Sequence, residues 1–175
     1  METTTGKTTA TLTHLSAFGQ YIVPLGNFVF PIIIWSSTKK DSAFVDHHGR
    51  QVINFQLSIF LYSLILFLIA APILLVTIFK NVPFSAFIDG DFLIEDFSVA
   101  KITGIVTVAV VAAVILFFMK VAEFFLIINA AVMAANGKLF HYPLTINFIK
   151  ATVTESSAVT ESSSLTEMPI EPQQP

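Results

Sequence analysis

The sequence contains no cysteine and few charged residues, and both shortages limit the class of protein. Without cysteine the chain cannot form disulfides, thiolate metal sites or cysteine nucleophiles, although its redox compartment stays undecided. Only 12% of the 175 residues are charged, whereas a soluble domain usually carries about 25%. So few charges could not cover a soluble globule, and 54% of the residues are hydrophobic. The composition therefore predicts a membrane protein.

An excess of basic charge is also lacking. Nine Lys and Arg residues face twelve Asp and Glu residues, which gives a net charge of −3. Residues 151–175 hold four Glu and no Lys or Arg, so the rest of the chain has a net charge of +1. This balance offers no basic face for nucleic acid. The Ser/Thr/Glu composition predicts a disordered tail over 151–175, and we also expect the Thr-rich residues 1–11 to be disordered.

Three long apolar stretches dominate the remaining sequence. The first, residues 12–35, is interrupted by Pro24, Gly26 and Pro31, which disfavour a continuous helix. It predicts two short helical pieces, at about 12–22 and 27–37, that form either an interrupted span or a re-entrant hairpin.

The other two stretches predict long helices. Residues 52–79 contain no charged side chain over 28 positions, more than the roughly 20 that one crossing requires. Residues 101–135 predict one long span, because no glycine or proline separates its two halves around Lys120. We expect an all-α integral membrane protein with three transmembrane helices, the first of them broken, or four helical segments if the first element is a hairpin. An interfacial coda at 139–150 completes the membrane domain of residues 12–150.

Charged residues between these stretches indicate the orientation. Residues 36–51 hold three basic residues, the coda region two, the ends of the acidic, Phe-rich loop at 80–101 two, and the N-terminus one. The positive-inside rule then places residues 36–51 and the C-terminus in the cytoplasm, whether the first element spans or is re-entrant. The side of the N-terminus stays open.

Five polar residues in or near the spans are candidate intramembrane functional residues: Asn54, Gln56, Lys120, Glu123 and Asn129. Lys120 and Glu123 are three positions apart, so they share a helical face and can pair. Charges at membrane depth are costly, and such a pair either marks function or neutralises itself near a helix end. The amides can line a water path or hydrogen-bond to another helix, which is the commoner use.

No motif points to catalysis or to a cofactor. Asp46, His47 and His48 could supply metal ligands, but adjacent histidines in a loop, without groups to orient them, make a poor site. His14 and His141 are isolated in the sequence, and no serine, acid and histidine grouping emerges from spacing. Phosphate loops and dinucleotide fingerprints are absent too. We therefore expect no enzyme, no cofactor and no metal site.

Three segments together resemble a known family: THLSAFGQYIVPLGNFVFPIIIW, KKDSAFVDHHGRQVINFQ and AAVMAANGKLFHYPLTINFIK. They are similar to small bacterial membrane proteins of unknown function, a family that is distantly similar to the chloroplast import subunit Tic-twenty and includes the magnetosome MamF-like proteins. The resemblance spans residues 9–150. It carries over these signature positions: His14, Leu15, Ser16, Pro24, Gly26, Asn27, Pro31, Trp35, Lys39, Lys40, Asp41, His48, Gly49, Asn54, Phe55, Gln56, Asn136, Gly137, Tyr142 and Pro143.

The resemblance implies three or four helices in a membrane, most simply the bacterial inner membrane, and no known catalysis. We expect a non-enzymatic assembly or protein-translocation accessory that contacts the lipid bilayer and either a second copy of itself, as a homo-oligomer, or another membrane protein. The alternative is a small channel or transporter subunit that uses Asn54, Gln56, Lys120 and Glu123. A third possibility is a protein that shapes the bilayer through the loop at 80–101.

Overall fold

A computed structural model describes residues 2–40, 42–81 and 99–151. Over these ranges the chain forms four α-helices and no strand, so the fold is all-α. The elements in chain order are α1 (Thr4–Leu15), a 3₁₀ turn (Ser16–Tyr21), α2 (Gly26–Thr38), α3 (Ala43–Asn81) and α4 (Val99–Ala135). The predictions for Met1, Asp41, most of the acidic loop and the tail beyond residue 151 lie outside the described residues.

The N-terminal helix corrects our expectation of disorder over residues 1–11. Thr3 caps α1, because its hydroxyl accepts a hydrogen bond from the Gly6 amide at 3.0 Å. Threonine hydroxyls along the helix donate to carbonyls four residues earlier, as Thr13 does to Thr9, so the hydroxyls are satisfied within the helix. One face, which includes Ala10 and Thr13, is buried against α3 and α4. Tertiary packing therefore overrides the polar composition.

The first element is a helical hairpin. After the 3₁₀ turn the chain reverses at residues 22–25, where Leu25 adopts a left-handed conformation with φ of 62°. The two legs cross closely, since a Cβ on Gly26 would overlap the Gly19 carbonyl. The Ser42 hydroxyl donates to Glu2 Oε1 at 3.1 Å, so the hairpin begins and ends at the same end of the molecule.

Two helices, α3 and α4, are long and apolar enough to cross a membrane, over Ala43–Thr77 and Val106–Ala135. In their most apolar windows only 0% and 11% of residues are buried, which distinguishes them from the core helices of a soluble protein. The structure thus contains two candidate spans among its described helices. Because α2 has 13 residues, or about 20 Å of helix, it is too short for the third.

The molecule divides into two regions along these helices. In the region that we call the bundle (residues 2–40, 42–62 and 120–151), α1, the 3₁₀ turn and α2 pack around the start of α3 and the end of α4. Its core includes Val52, Phe55, Ile127 and Ala130. In the region that we call the helix pair (residues 63–81 and 99–119), α3 and α4 continue beyond these elements.

The coda follows α4 as irregular backbone. Gly137, with φ of 70°, forms a left-handed cap, and the Lys138 amide donates back to the Met133 carbonyl at 3.0 Å. The chain then lies along α3, where polar side chains bond its backbone. Asn54 Nδ2 donates to the Ile149 carbonyl at 3.0 Å, and the Ile149 amide donates to Asn54 Oδ1 at 2.8 Å. Ser58 accepts from the Ile146 amide at 2.9 Å.

Candidate functional site

The bundle encloses a buried chain of hydrogen bonds between three distant parts of the sequence. Tyr142 in the coda lies 2.8 Å from His14 Nδ1, and His14 Nε2 lies 2.7 Å from Nδ1 of His48 on α3. All three side chains are buried. In a consistent assignment Tyr142 donates to His14, and His14 donates from Nε2 to His48. The His48 ring lies near the Lys138 backbone, but its Nε2 makes no hydrogen bond of good geometry to a described residue.

Aromatic rings enclose this chain of hydrogen bonds. The ring of Phe44 lies 4.4 Å from that of His48, and Phe55 stacks on Tyr142 with centroids 4.0 Å apart. His47 packs edge-on against His141 at 4.7 Å and against His48 at 5.4 Å. The fold therefore gathers all four histidines, although two of them are isolated in the sequence.

Burial sets the protonation of this cluster. It lowers the pKa of His14 well below its usual 6.5, and the nearby charges of His48 and then His47 lower it further. It also raises the pKa of Tyr142 well above 10.0, with a smaller contribution from Glu123. Neutral forms are favoured at both positions, so the hydrogen bonds link α1, α3 and the coda without a buried charge.

The histidines do not form a metal centre in the described residues. No group of three or more His, Asp or Glu side chains there is arranged to hold a metal ion. The coordinating nitrogens of His14 are both engaged with Tyr142 and His48. Asp46 is turned to Trp35, whose Nε1 donates to it at 2.8 Å, and to Arg50, with which it forms an ion pair. The arrangement fits a structural link between elements.

A second cluster joins the 3₁₀ turn to α4. Lys120 Nζ lies 2.7 Å from Glu123 Oε2, and Gln20 contacts both partners. Gln20 Nε2 donates to Glu123 Oε1 at 3.1 Å, and Lys120 donates to Gln20 Oε1 at 3.2 Å. Glu123 is 1% exposed, whereas the Lys120 side chain is 46% exposed. The pair inferred from spacing thus forms, with Gln20 as a third member that no motif had indicated.

The remaining candidate amides behave differently from one another. Gln56 accepts from Asn27 Nδ2 at 2.8 Å and so joins α3 to α2, while Asn54 holds the coda. Asn129 is not brought to this network: it lies exposed on α4 and has no side-chain hydrogen bond to another described residue. The structure therefore connects Asn54, Gln56, Lys120 and Glu123 to neighbouring elements, and leaves Asn129 on the outer surface.

Other signature positions lie at close contacts, at turns or at a helix end. Gly49 lies against the Trp35 ring, where a Cβ would overlap ring atoms, and Pro31 is buried within α2. Pro24 occupies the reversal between the hairpin legs. Asn136 donates from its side chain to the Val132 carbonyl at 2.8 Å, at the end of α4. Pro143, directly after Tyr142, is exposed.

Sequence reasoning missed the joining of His14 to Tyr142, which are 128 positions apart. No spacing rule could bring them together. Their common membership of the signature was the available signal, because it contained His14, His48 and Tyr142 without giving them a shared role.

Comparison with known proteins gives one family. Residues 5–149 match the magnetosome magnetite crystal formation protein family, which confirms the MamF-like part of the resemblance; the likeness to Tic-twenty stays a resemblance. No curated protein and no solved structure matches the chain. Because the match covers more than half of the sequence, the protein belongs to the magnetosome magnetite crystal formation protein family.

Proposed function

We propose that this protein is a non-enzymatic, multi-pass membrane component of magnetite crystal formation, and that it acts by helix contacts within an assembly in the membrane. The family match supports the process, and the two apolar helices support the location. In this proposal the C-terminus lies in the cytoplasm, as the basic residues near the spans indicate.

The observation that carries the helix-contact role is the outward position of Asn129. This amide lies within the candidate span Val106–Ala135 and is exposed beside Phe125, which is 65% exposed. An unpartnered amide in contact with hydrocarbon is unfavourable, and amides between membrane helices commonly hydrogen-bond across the contact. We therefore assign this face of α4 to a neighbouring helix, in the first instance from a second copy of the chain.

Crosslinking in native membranes tests the contact. The chain has no cysteine, so Asn129→Cys introduces a single reactive thiol, and it should give a disulfide-linked dimer under mild oxidation. Leu68→Cys is the matched control, because Leu68 is 59% exposed on α3 away from this face. Equal crosslinking of the two variants, or none of Asn129→Cys, would contradict the contact.

Crystal formation in the host cell tests the process. Loss of the protein should change the size or number of magnetite crystals seen by electron microscopy, and the wild-type chain should restore them. Asn129→Leu should reach the membrane but restore them poorly, whereas Asn129→Gln, which keeps an amide on the same face of α4, should restore them better. Unchanged crystals after loss of the protein would refute the proposed function.

A small transport subunit is the second candidate, and the buried Glu123 within a candidate span favours it. Against it, the Glu123 carboxylate already accepts hydrogen bonds from Lys120 and Gln20. Reconstituted liposomes distinguish the two: a transport role requires ion flux that falls when Lys120→Leu and Glu123→Leu are combined. Flux equal to that of empty liposomes would exclude transport and leave the assembly role intact.

A further inference from the structure

A cavity of about 420 Å³ lies where the end of α2, the start of α3 and the end of the coda meet. Four of its lining residues are basic: Lys39, Lys40, Arg50 and Lys150. Lys39, Lys40 and Arg50 lie close together in the sequence, and the fold adds Lys150 of the coda to them. It lies apart from the His14–His48–Tyr142 chain and from the outer face of α4.

Negative charge in this cavity is limited and already engaged. Asp46 is the one carboxylate among the described lining residues. Its oxygens contact Arg50 and the Trp35 indole, which donates at 2.8 Å. Among the described lining residues, the basic side chains therefore outnumber the single carboxylate. The first turn of α3, which begins at Ala43 in the cavity wall, adds the partial positive charge of a helix N-terminus.

The outer surface beside the cavity is apolar. Val29, Ile32 and Ile33 are exposed on α2 within two turns before Trp35, and the lysines follow after it. This order of aliphatic, aromatic and then basic side chains matches the passage from hydrocarbon to headgroups at a membrane surface. A ligand with acyl chains along α2 could thus place an anionic group in the cavity.

We propose that this cavity binds the phosphate of an anionic phospholipid headgroup. Lys40, just after the end of α2, and Lys150 of the coda approach the phosphate, while Arg50 stays fixed by Asp46 as part of the wall. Lys39 lies over the Trp35 ring at 4.7 Å, so the indole stands next to the bound headgroup. The site goes beyond the proposed function and does not depend on it.

Trp35 is the single tryptophan of the chain and reports on the site directly. Full-length protein in a nonionic detergent is titrated with short-chain phosphatidylglycerol, with phosphatidylcholine of the same chain length, and with inorganic phosphate. We expect saturable change in Trp35 emission with phosphatidylglycerol at concentrations about tenfold below those needed for the other two. Native mass spectrometry counts the bound lipid independently of the fluorescence.

Charge-removing variants locate the binding. Lys40→Gln and Lys150→Gln should each weaken phosphatidylglycerol binding about fivefold, and together roughly 25-fold. Lys40→Arg and Lys150→Arg keep the positive charge and should retain the binding. Lys7→Gln combined with Lys138→Gln removes the same charge outside the cavity and should stay within about twofold of wild type. Circular dichroism verifies that every variant keeps its helix content.

Four results would overturn the proposal. Equal binding of phosphatidylcholine would mean that the acyl chains alone are recognised. Equal binding of inorganic phosphate would assign the site to a free anion. Unchanged binding in the Lys40→Gln, Lys150→Gln double variant would remove the cavity from the interaction. Absence of bound phosphatidylglycerol in both measurements would exclude a lipid site altogether.

Discussion

The bundle and the helix pair contain parts of the same two long helices, yet they are held together in opposite ways. In the bundle, buried polar side chains bond one element to another, as His14, His48 and Tyr142 do. In the helix pair, Thr77 donates to the Ile73 carbonyl and Thr107 to the Thr103 carbonyl, each within its own helix. Between α3 and α4 an apolar gap of about 300 Å³ remains.

This contrast shows what polar residues contribute when lipid is the solvent. Apolar surface gains little from leaving hydrocarbon for another helix, so helices associate through close packing and hydrogen bonds. The bundle has both, whereas the helix pair exposes residues such as Phe67, at 64%, to its surroundings. We infer that the bundle fixes the relative position of α3 and α4, and that the membrane confines the helix pair.

The largest expected effect comes from breaking the buried chain of hydrogen bonds. His14→Ala leaves Tyr142 and His48 without their shared partner and opens a cavity, so it should lower the free energy of unfolding by about 3 kcal/mol. Unfolding in mixed detergent micelles, followed by circular dichroism, measures the change. His141→Ala, at an exposed ring, should cost less than about 0.5 kcal/mol. Similar losses of stability in both variants would show that the hydrogen bonds of His14, His48 and Tyr142 have no special role.

A glycine from each region sharpens the comparison. Gly26→Ala places a methyl group against the Gly19 carbonyl and should destabilise the protein by about 2 kcal/mol. Gly104→Ala in the helix pair meets no atom within 4 Å and should be neutral or stabilise by up to about 1 kcal/mol, because alanine favours helix. The same unfolding assay compares them. Destabilisation by Gly104→Ala would show that the helix pair packs more tightly than described.

Releasing the coda should give a smaller, local effect. Asn54→Leu removes both hydrogen bonds to Ile149, and hydrogen exchange of residues 146–149 should accelerate about tenfold as this segment opens. Asn129→Leu is the matched control, since its side chain bonds no other described residue, and the coda should exchange as in wild type. Unchanged exchange in Asn54→Leu would mean that other contacts hold the coda.

The smallest expected change follows from pH. Because burial lowers the pKa of His14 below 6.5, the unfolded chain binds the proton more readily than the folded one. The stability is fully present above pH 6.5 and declines as the pH falls below that value. Unfolding at pH 7.5 and 5.5 measures the decline, which should be smaller in His14→Gln. A larger stability at pH 5.5 would contradict the burial of a neutral ring.

The sequence was sufficient for features that depend on local composition. The charge-free residues 52–79 fall within α3, and the reversal at residues 22–25 lies where Pro24 and Gly26 interrupt the first stretch. The long helix follows from the transfer free energy of its apolar side chains, and the reversal follows from the backbone restrictions of proline and glycine. Both are properties of individual residues.

The remaining features depend on contacts that no local pattern contains. Threonines made α1 look disordered, although its buried face packs on α4. Gln20 gave no signal, because its role exists only after the hairpin brings it to Lys120 and Glu123. Asn54, Gln56 and Asn129 were all candidates because they are amides within or near the spans. Only the fold shows that Asn54 and Gln56 hydrogen-bond other elements, whereas Asn129 is exposed.

The link from His14 to Tyr142 also bears on how the protein is made. The two residues are separated by 128 positions, so the chain must be synthesised through Tyr142 before this bond can close. Until then α1 lacks its hydrogen bond to the coda, while α3 and α4 can already enter the lipid. A chain that stops short of Tyr142 lacks this cross-link, so the bond to His14 is among the last contacts of the bundle to form during synthesis.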